Sequence, residues 1–346
     1  LVDSYSASVV LCTATQPSLD PFFLKKESIK ELCPRIEDQF RFFKRVNYQN
    51  IGIIKHETLL EKLKKENNAL CIVNTKKSAQ MIYKELSGEG IYHLSTSMYP
   101  RHRKRVLRAI RKRLENNEKC ILISTSLVEA GVDLDFESVY RQISGLDSMI
   151  QAAGRCNREG KRKVLESGVY IFDLEESRNV PSQSQQIDIS NGILQDYSDI
   201  TDLEAITDYF TRLYHYRGTS LDKKNIMDEF QKMECNFAKV AKEFKMIEKN
   251  TKTIFINKEP EADKLLQELR IKGVTKERMR KAGQYCIQVY DDEKSENKFF
   301  DRLNDAGMLK TISEDMQDFY ELSAGEQYSD EYGLDFSLED GIALFM

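Results

Sequence analysis

Four strand-length segments, at residues 69–73, 120–123, 138–143 and 168–172, alternate with stretches of helical periodicity, and that alternation most constrains the fold. Runs such as Ala-Leu-Cys-Ile-Val at 69–73 and Cys-Ile-Leu-Ile at 120–123 are continuously apolar, as expected of strands buried on both faces. Strands separated by helices form a parallel sheet covered on both sides. The intervening segments fit that role. Leu59, Leu60 and Leu63 mark the apolar face of a helix over 56–67, and Asn74-Thr75 can cap a helix over 76–86 that Gly88 and Gly90 end. Val106, Leu107, Ile110 and Leu114 fall at helical spacing over 101–114. Residues 51–175 are therefore read as one α/β domain.

Two stretches of this domain carry chemistry. The run at 120–123 ends in Ser124, Thr125 and Ser126, placed where a helix N-terminus would offer hydroxyls and backbone N–H groups to a phosphate. Gly131 is expected to break the short helix that follows and leave Asp133 at the carboxyl edge of the sheet, where ligands bind in open α/β folds. Further on, Asp147-Ser148 can cap a helix that carries Gln151, Arg155 and Arg158 at i, i+4 and i+7, all projecting from one face. Ile150, Ala153 and Cys156 lie toward another side and can pack. Two arginines and an amide on one stripe, with Gly154 allowing close approach, form a donor array suited to a polyphosphate. An amphipathic helix with a solvated basic face is the bland alternative; the length and order of the whole pattern favour function.

The strings TSLVEAGVDLDF (125–136) and LDSMIQAAGRCNR (146–158) resemble motifs V and VI of superfamily 2 helicases and, closely, those of the Cas3 helicase of type I CRISPR interference. The resemblance implies that Arg158 is the finger stabilising charge on the transferred γ-phosphoryl group. It implies that Arg155 and Gln151 touch the γ-phosphate, and that Asp133, with Gly131, belongs to the nucleotide set, where Asp133 helps place the ribose and couples to motif VI. Such a finger matters by roughly 10³–10⁵ in rate, because phosphoryl transfer needs charge stabilisation more than covalent help. The segment 8–12, read as a strand, leads into Thr13-Ala-Thr15-Gln-Pro17, which resembles motif III and makes Thr13 and Thr15 coupling residues. The turn after 69–73 resembles motif IV and assigns Asn74 and Thr75 to the nucleic-acid backbone. Thr125, Ser124 and Ser95 join them as candidate DNA contacts.

Other expected parts are missing from the sequence. No G-x-x-x-x-G-K-[ST] loop occurs, since Gly160-Lys161 is followed by Arg162. Neither Asp228-Glu229 nor Asp330-Glu331 ends an apolar strand where it could hold magnesium, and none of the four histidines (56, 93, 102, 215) precedes Asp. The chain therefore reads as the C-terminal portion of a larger helicase, by truncation, cleavage or a split gene, and as inactive on ATP alone. ATP and Mg are expected to be held mainly by the missing first lobe, and no metal site is assigned to this chain.

Charge sharpens the partner reading. Residues 1–173 carry 29 Lys and Arg against 21 Asp and Glu, whereas 174–346 carry 23 against 35. Within the basic half, residues 101–113 hold eight Lys and Arg and no acid. That run is either a solvated helix face or a phosphate track for single-stranded DNA in which Arg108 and Arg111 take part. The seven cysteines include no C-x-x-C pair, which argues against zinc or a disulfide frame and for a reducing cytoplasm. No apolar run approaches the roughly 18–20 residues of a membrane span.

Beyond 175 the chemistry thins. Residues 176–192, with Pro181, read as an exposed linker, followed by helices over 196–213 and 221–244. Residues 251–346 read as strands at 252–256, 284–290 and 318–322 with a helix at 261–269. Their order, including 328–334, resembles the Cas3 C-terminal domain, which lies over the helicase channel and helps retain DNA. Its acidic balance also suits a lid facing other protein. The expectation is thus an α/β fold in which 1–19 is the last strand of a first RecA-like domain and 20–50 a connector. Residues 51–175 form a RecA-like parallel sheet as second helicase lobe, 176–250 a helical linker, and 251–346 a small α+β C-terminal domain. The family implies single-stranded DNA, the Cascade surveillance complex, and the first RecA-like and HD nuclease domains as partners. Alternatives are a fragment of another superfamily 2 DNA or RNA helicase, or a non-catalytic nucleic-acid- or Cascade-binding regulatory fragment.

Overall fold

A computed structural model describes residues 7–13, 15, 17, 30–176, 183–232, 236–244, 251–290, 299–313, 316 and 318–336. Ala14 and Gln16 of the motif III-like run, Pro181 and Cys235 lie outside the described residues. In chain order, α1 (Ile36–Phe42) precedes β1 (Asn47–Ile54), α2 (His56–Lys65), β2 (Asn68–Ile72), α3 (Lys76–Leu86), β3 (Ile91–Leu94), α4 (Pro100–Glu115) and β4 (Cys120–Ser124). Next come β5 (Ser138–Gln142), α5 (Leu146–Ala153), β6 (Gly168–Leu174), α6 (Ser184–Asp196), α7 (Leu203–Arg217), α8 (Ile226–Gln231) and α9 (Phe237–Glu243). The rest is β7 (Thr251–Phe255), α10 (Pro260–Lys272), α11 (Lys276–Ala282), β8 (Cys286–Tyr290), α12 (Phe299–Asp305), β9 (Leu309–Thr311), β10 (Phe319–Leu322), β11 (Tyr328–Ser329) and β12 (Gly333–Leu334). Strands β1 to β6 form the expected parallel sheet.

The chain divides into two compact units, Leu1–His56 with Glu129–Asn225, and Glu57–Val128 with Ile226–Met346. In the first, β6 lies between β1 and β5, pairing in parallel with each. Tyr209 and Leu213 of α7 and Ile187 and Ile193 of α6 are buried, and the Tyr209 hydroxyl donates to Asp147 of α5 at 3.4 Å. In the second, β4 lies between β2 and β3. Every residue of β2 and β4 is buried, as continuous apolar runs predict. Helix α3 begins where expected, because the Thr75 hydroxyl accepts the Ser78 N–H at 3.0 Å. The smaller sheet has order β8-β7-β10-β9. Its core joins Ile254, Phe255, Leu266, Ile287 and Leu303 to Tyr99 at the start of α4.

The β11–β12 hairpin is tied to that same unit's lobe. Gln80 of α3 donates to the Leu334 carbonyl at 2.7 Å, the Ser97 hydroxyl donates to the Tyr332 carbonyl at 2.7 Å, and the Leu334 N–H donates to the Ser97 carbonyl at 2.9 Å. Gly333 makes the close approach possible: its φ is +79°, and a Cβ there would overlap the Ser97 carbonyl.

Several boundaries differ from the sequence reading. Residues 8–12 are exposed and take no strand, since a strand needs a ladder partner and none is present among the described residues. The stretch 20–50 contains α1 and the start of β1. Helix α6 begins at Ser184, inside the expected linker, and the helix expected over 196–213 starts only at Leu203. The long helix expected over 221–244 is present only as the short α8 and α9.

Candidate nucleotide and nucleic-acid sites

The arginine stripe is built differently from the spacing argument. Helix α5 starts after Gly145 rather than on an Asp147-Ser148 cap, and it ends at Ala153. Arg155 and Arg158 therefore do not share a helical face with Gln151. The chain leaves the helix because 155–157 pairs with Phe136: the Phe136 N–H donates to the Arg155 carbonyl at 2.9 Å, and the Asn157 N–H donates to the Phe136 carbonyl at 3.0 Å. Asn157, at φ +47°, fixes the turn by donating to the Arg45 and Arg162 carbonyls at 2.9 and 2.8 Å.

This pairing also moves Asp133. The Cys156 thiol donates to the Glu137 carbonyl just before β5 and, at 3.7 Å, to that of Gly168, the first residue of β6. The segment 133–136 thus returns to the amino ends of β5 and β6, and the expected carboxyl-edge position of Asp133 is corrected. The two arginines differ sharply there. Arg158 is exposed, its Nε 2.6 Å from Asp133 Oδ1, and its N–H donates to Asp135 at 2.7 Å. Arg155 is buried and donates from Nη2 to the Glu129 carbonyl at 2.6 Å. Burial and then the neighbouring Arg158 charge lower the Arg155 pKa. Gln151 is half-buried on the last turn of α5. Gly131 is exposed at φ +71°, a conformation that suits glycine. Thr15 is buried, and Thr13 is exposed, its hydroxyl donating to the Thr15 carbonyl at 3.2 Å.

The nearby carboxylate is one that sequence reasoning passed over. Glu129 is buried and ion-paired to Arg141 of β5 at 3.0 Å, and it accepts the Ser148 hydroxyl at 2.8 Å. Burial raises its pKa, and Arg141 opposes the shift. A lone Arg in a strand pattern, 12 residues from Glu129, gives no local signal of this network.

In the second unit, the carboxyl ends of β2, β3 and β4 carry the other candidates. Asn74, Thr75 and Thr125 are half-buried there. Ser124 and Ser95 are fully buried: the Ser124 hydroxyl donates to the Leu94 carbonyl at 2.6 Å, and Ser95 Oγ lies 2.9 Å from His93 Nε2 and 2.6 Å from Ser97 Oγ. Their hydroxyls are taken up inside the lobe and are not presented to solvent. Two cations missed from the sequence stand in this unit. Lys76, beside Asn74 and Thr75, has its pKa lowered to about 8 by burial and by Arg103, and burial lowers that of Arg103 as well.

Basic α4 is two-faced. Arg101 and Arg105 pair with Glu259 at 2.9 and 3.2 Å, and the Tyr99 hydroxyl donates to the same carboxylate at 2.8 Å. Arg113 pairs with Glu89 at 2.7 Å. Arg108 and Arg111 are exposed, Arg108 donating to the Lys104 carbonyl one turn back at 3.2 Å. Among the described residues, no group of three or more His, Cys, Asp or Glu side chains could hold a metal ion, and no helix is long and apolar enough to cross a membrane.

Residues 65–161, which include the stretches resembling motifs V and VI, match the family profile described as CRISPR-associated nuclease/helicase Cas3, C-terminal. The chain is 28% identical over 136 residues to the CRISPR-associated nuclease/helicase Cas3 of Methanothermobacter thermautotrophicus, covering 38% of this chain and 16% of that protein. It is 44% identical over 68 residues to the Cas3 of Haloferax volcanii, covering 18% and 7%. In structure it resembles T. fusca Cas3 with ATP, at a TM-score of 0.57 and 14% identity over 81% of this chain and 39% of that one. A chain of a CRISPR RNA-guided surveillance complex, pre-nicking, matches at a TM-score of 0.51 and 16% identity, covering 81% and 41%. At such identities the structural likeness speaks to fold alone. The chain spans well under half the length of these relatives. Across residues 65–161 this chain is similar in sequence to the C-terminal region of Cas3 nuclease/helicases, and over 81% of its length its fold is similar to that of part of T. fusca Cas3.

Proposed function

We propose that this chain is the second motor lobe and C-terminal lid of a Cas3-type ATP-dependent translocase that moves 3′-to-5′ on single-stranded DNA in CRISPR interference. The observation that carries the reading is the Arg155–Arg158 turn, which gives one arginine buried and fixed and the other exposed beside a still more exposed Asp133. An ion pair between exposed groups is worth about 0–1 kcal/mol, so Asp133 orients the Arg158 guanidinium without holding it back from a stronger anion. In the motor, Arg158 transfers from Asp133 to the γ-phosphate as charge develops, and Arg155 and Gln151 contact the same phosphate. Gly131 gives the 129–133 turn the conformation that sets Asp133 near the ribose. Mg and most contacts to ATP belong to a first lobe supplied by another segment or chain, and Thr13 and Thr15 couple the two.

Single-stranded DNA runs along the carboxyl ends of β2 and β4, where Asn74, Thr75 and Thr125 meet its backbone and Arg108 and Arg111 add charge. Ser124 and Ser95 act by supporting that edge from within. Cascade and an HD nuclease domain are the partners of the complete protein. The test is ATP-driven translocation by a motor assembled from this chain and a first helicase lobe. Arg158→Ala abolishes movement while DNA binding stays within about twofold of wild type. Unwinding at near wild-type rate by that variant removes the finger assignment.

A further inference from the structure

We infer that Glu129, Arg141 and Ser148 form a buried bracket that positions Arg155 for phosphoryl transfer, an inference that rests on the assignment of Arg155 to the γ-phosphate. Three segments meet in it. Glu129 comes from the turn after motif V begins, Arg141 from β5 and Ser148 from α5. Arg141 Nε lies 3.0 Å from Glu129 Oε1, the Ser148 hydroxyl donates to Glu129 Oε2 at 2.8 Å, and Arg141 Nη2 donates to Ser148 Oγ at 2.9 Å. Arg141 also donates from Nη1 to the Gln142 carbonyl at 2.7 Å. The charged pair is buried, Arg141 2% and Glu129 8% exposed, and Ser148 is half-buried at its edge.

Holding α5 against β5 does not require charge. Apolar side chains of similar volume replace a buried ion pair with no loss of stability and often a gain. What an ionic ring adds is direction, because each contact is an oriented hydrogen bond or a charge at fixed distance. Here it fixes the orientation of Glu129, and the Glu129 carbonyl is the acceptor for Arg155 Nη2 at 2.6 Å. One arm of a planar guanidinium clamped to a fixed acceptor sets the plane of the whole fork. Misplacement by about 1 Å in such a group costs up to 10²-fold in rate. Glu129, Arg141 and Ser148 are therefore positioning residues, acting through Arg155 and touching no substrate.

The experiment is a double-mutant cycle on steady-state ATP hydrolysis by a motor assembled from this chain and a first helicase lobe. Ser148→Ala removes one hydroxyl and leaves the Glu129–Arg141 pair in place. It is expected to lower kcat about tenfold with KM for ATP within about twofold, and to cost nothing further in an Arg155→Ala background. Ser148→Thr, which restores the hydroxyl, returns kcat to near wild type. An equal loss in both backgrounds shows that Ser148 acts elsewhere and overturns the bracket while leaving the role of Arg155 standing. Full activity in Ser148→Ala, or failure of Ser148→Thr to restore it, overturns the bracket as well. Wild-type hydrolysis by Arg155→Ala removes the γ-phosphate assignment itself, a separate failure read from the single variant.

Discussion

The arginines of the first unit and those of α4 in the second unit look alike in sequence and differ in what surrounds them. Arg155 is tied to a main-chain carbonyl and Arg158 to an exposed carboxylate, so the pair combines a buried fork with a solvent-facing one. On α4 the charges nearest the helix start are held by Glu259, and Arg108 and Arg111 face solvent. A basic run thus divides into an intramolecular clamp and a surface that can meet phosphate. Charge count alone does not separate the two; the position of the nearest carboxylate does.

Removing one arginine from each region is the strongest way to break this contrast. In an assembled motor, Arg158→Ala lowers kcat by roughly 10³–10⁵, and Arg108→Ala leaves kcat within about twofold. Comparable losses from both substitutions would dissolve the distinction. Glu259→Ala comes next: it deprives Arg101, Arg105 and the Tyr99 hydroxyl of their shared acceptor and is expected to cost about 1–3 kcal/mol in denaturant unfolding of the second unit. An unchanged midpoint means that the clamp contributes nothing to stability.

The pH dependence of that unit gives a smaller effect. Burial lowers the His93 pKa from 6.5 to about 3 and lowers that of His102, which lies 2.6 Å from the Tyr328 hydroxyl. His93 therefore stays neutral in the fold, whereas the unfolded chain protonates it below about pH 6.5. Stability therefore falls as pH drops from 6.5 toward 5, by up to about 1.4 kcal/mol per pH unit for His93, with His102 acting in the same direction. His93→Gln flattens the slope by one proton; an identical slope in that variant removes His93 as a cause. The smallest effect belongs to Arg108→Glu with Arg111→Glu. Single-stranded DNA binding weakens, and the salt dependence flattens by about 0.7 per lost phosphate contact. A wild-type slope assigns those residues to the solvated face.

The strands of the larger sheet are legible because β2 and β4 carry continuous apolar runs at 69–72 and 120–123, and α3 because Thr75 caps it locally. What escaped depends on contacts distant in sequence. Arg155, Cys156 and Asn157 are compatible with a helix by spacing, and only the bridge to Phe136, some 20 residues earlier, takes them out of it. That bridge also carries Asp133 away from the edge where motif order placed it. Ser124 and Ser95 read as surface hydroxyls because a polar residue after an apolar run signals an exposed edge; both are satisfied inside by Leu94 and by His93 with Ser97. The Glu129–Arg141–Ser148 ring had no pattern at all, since its members come from three elements.

The most direct measurement is single-turnover ATP hydrolysis by a first helicase lobe with and without this chain. The account predicts negligible turnover by either part alone, and acceleration of at least about 10³-fold on mixing that Arg158→Ala eliminates. Hydrolysis by this chain alone, or equal acceleration by the Arg158→Ala chain, contradicts it.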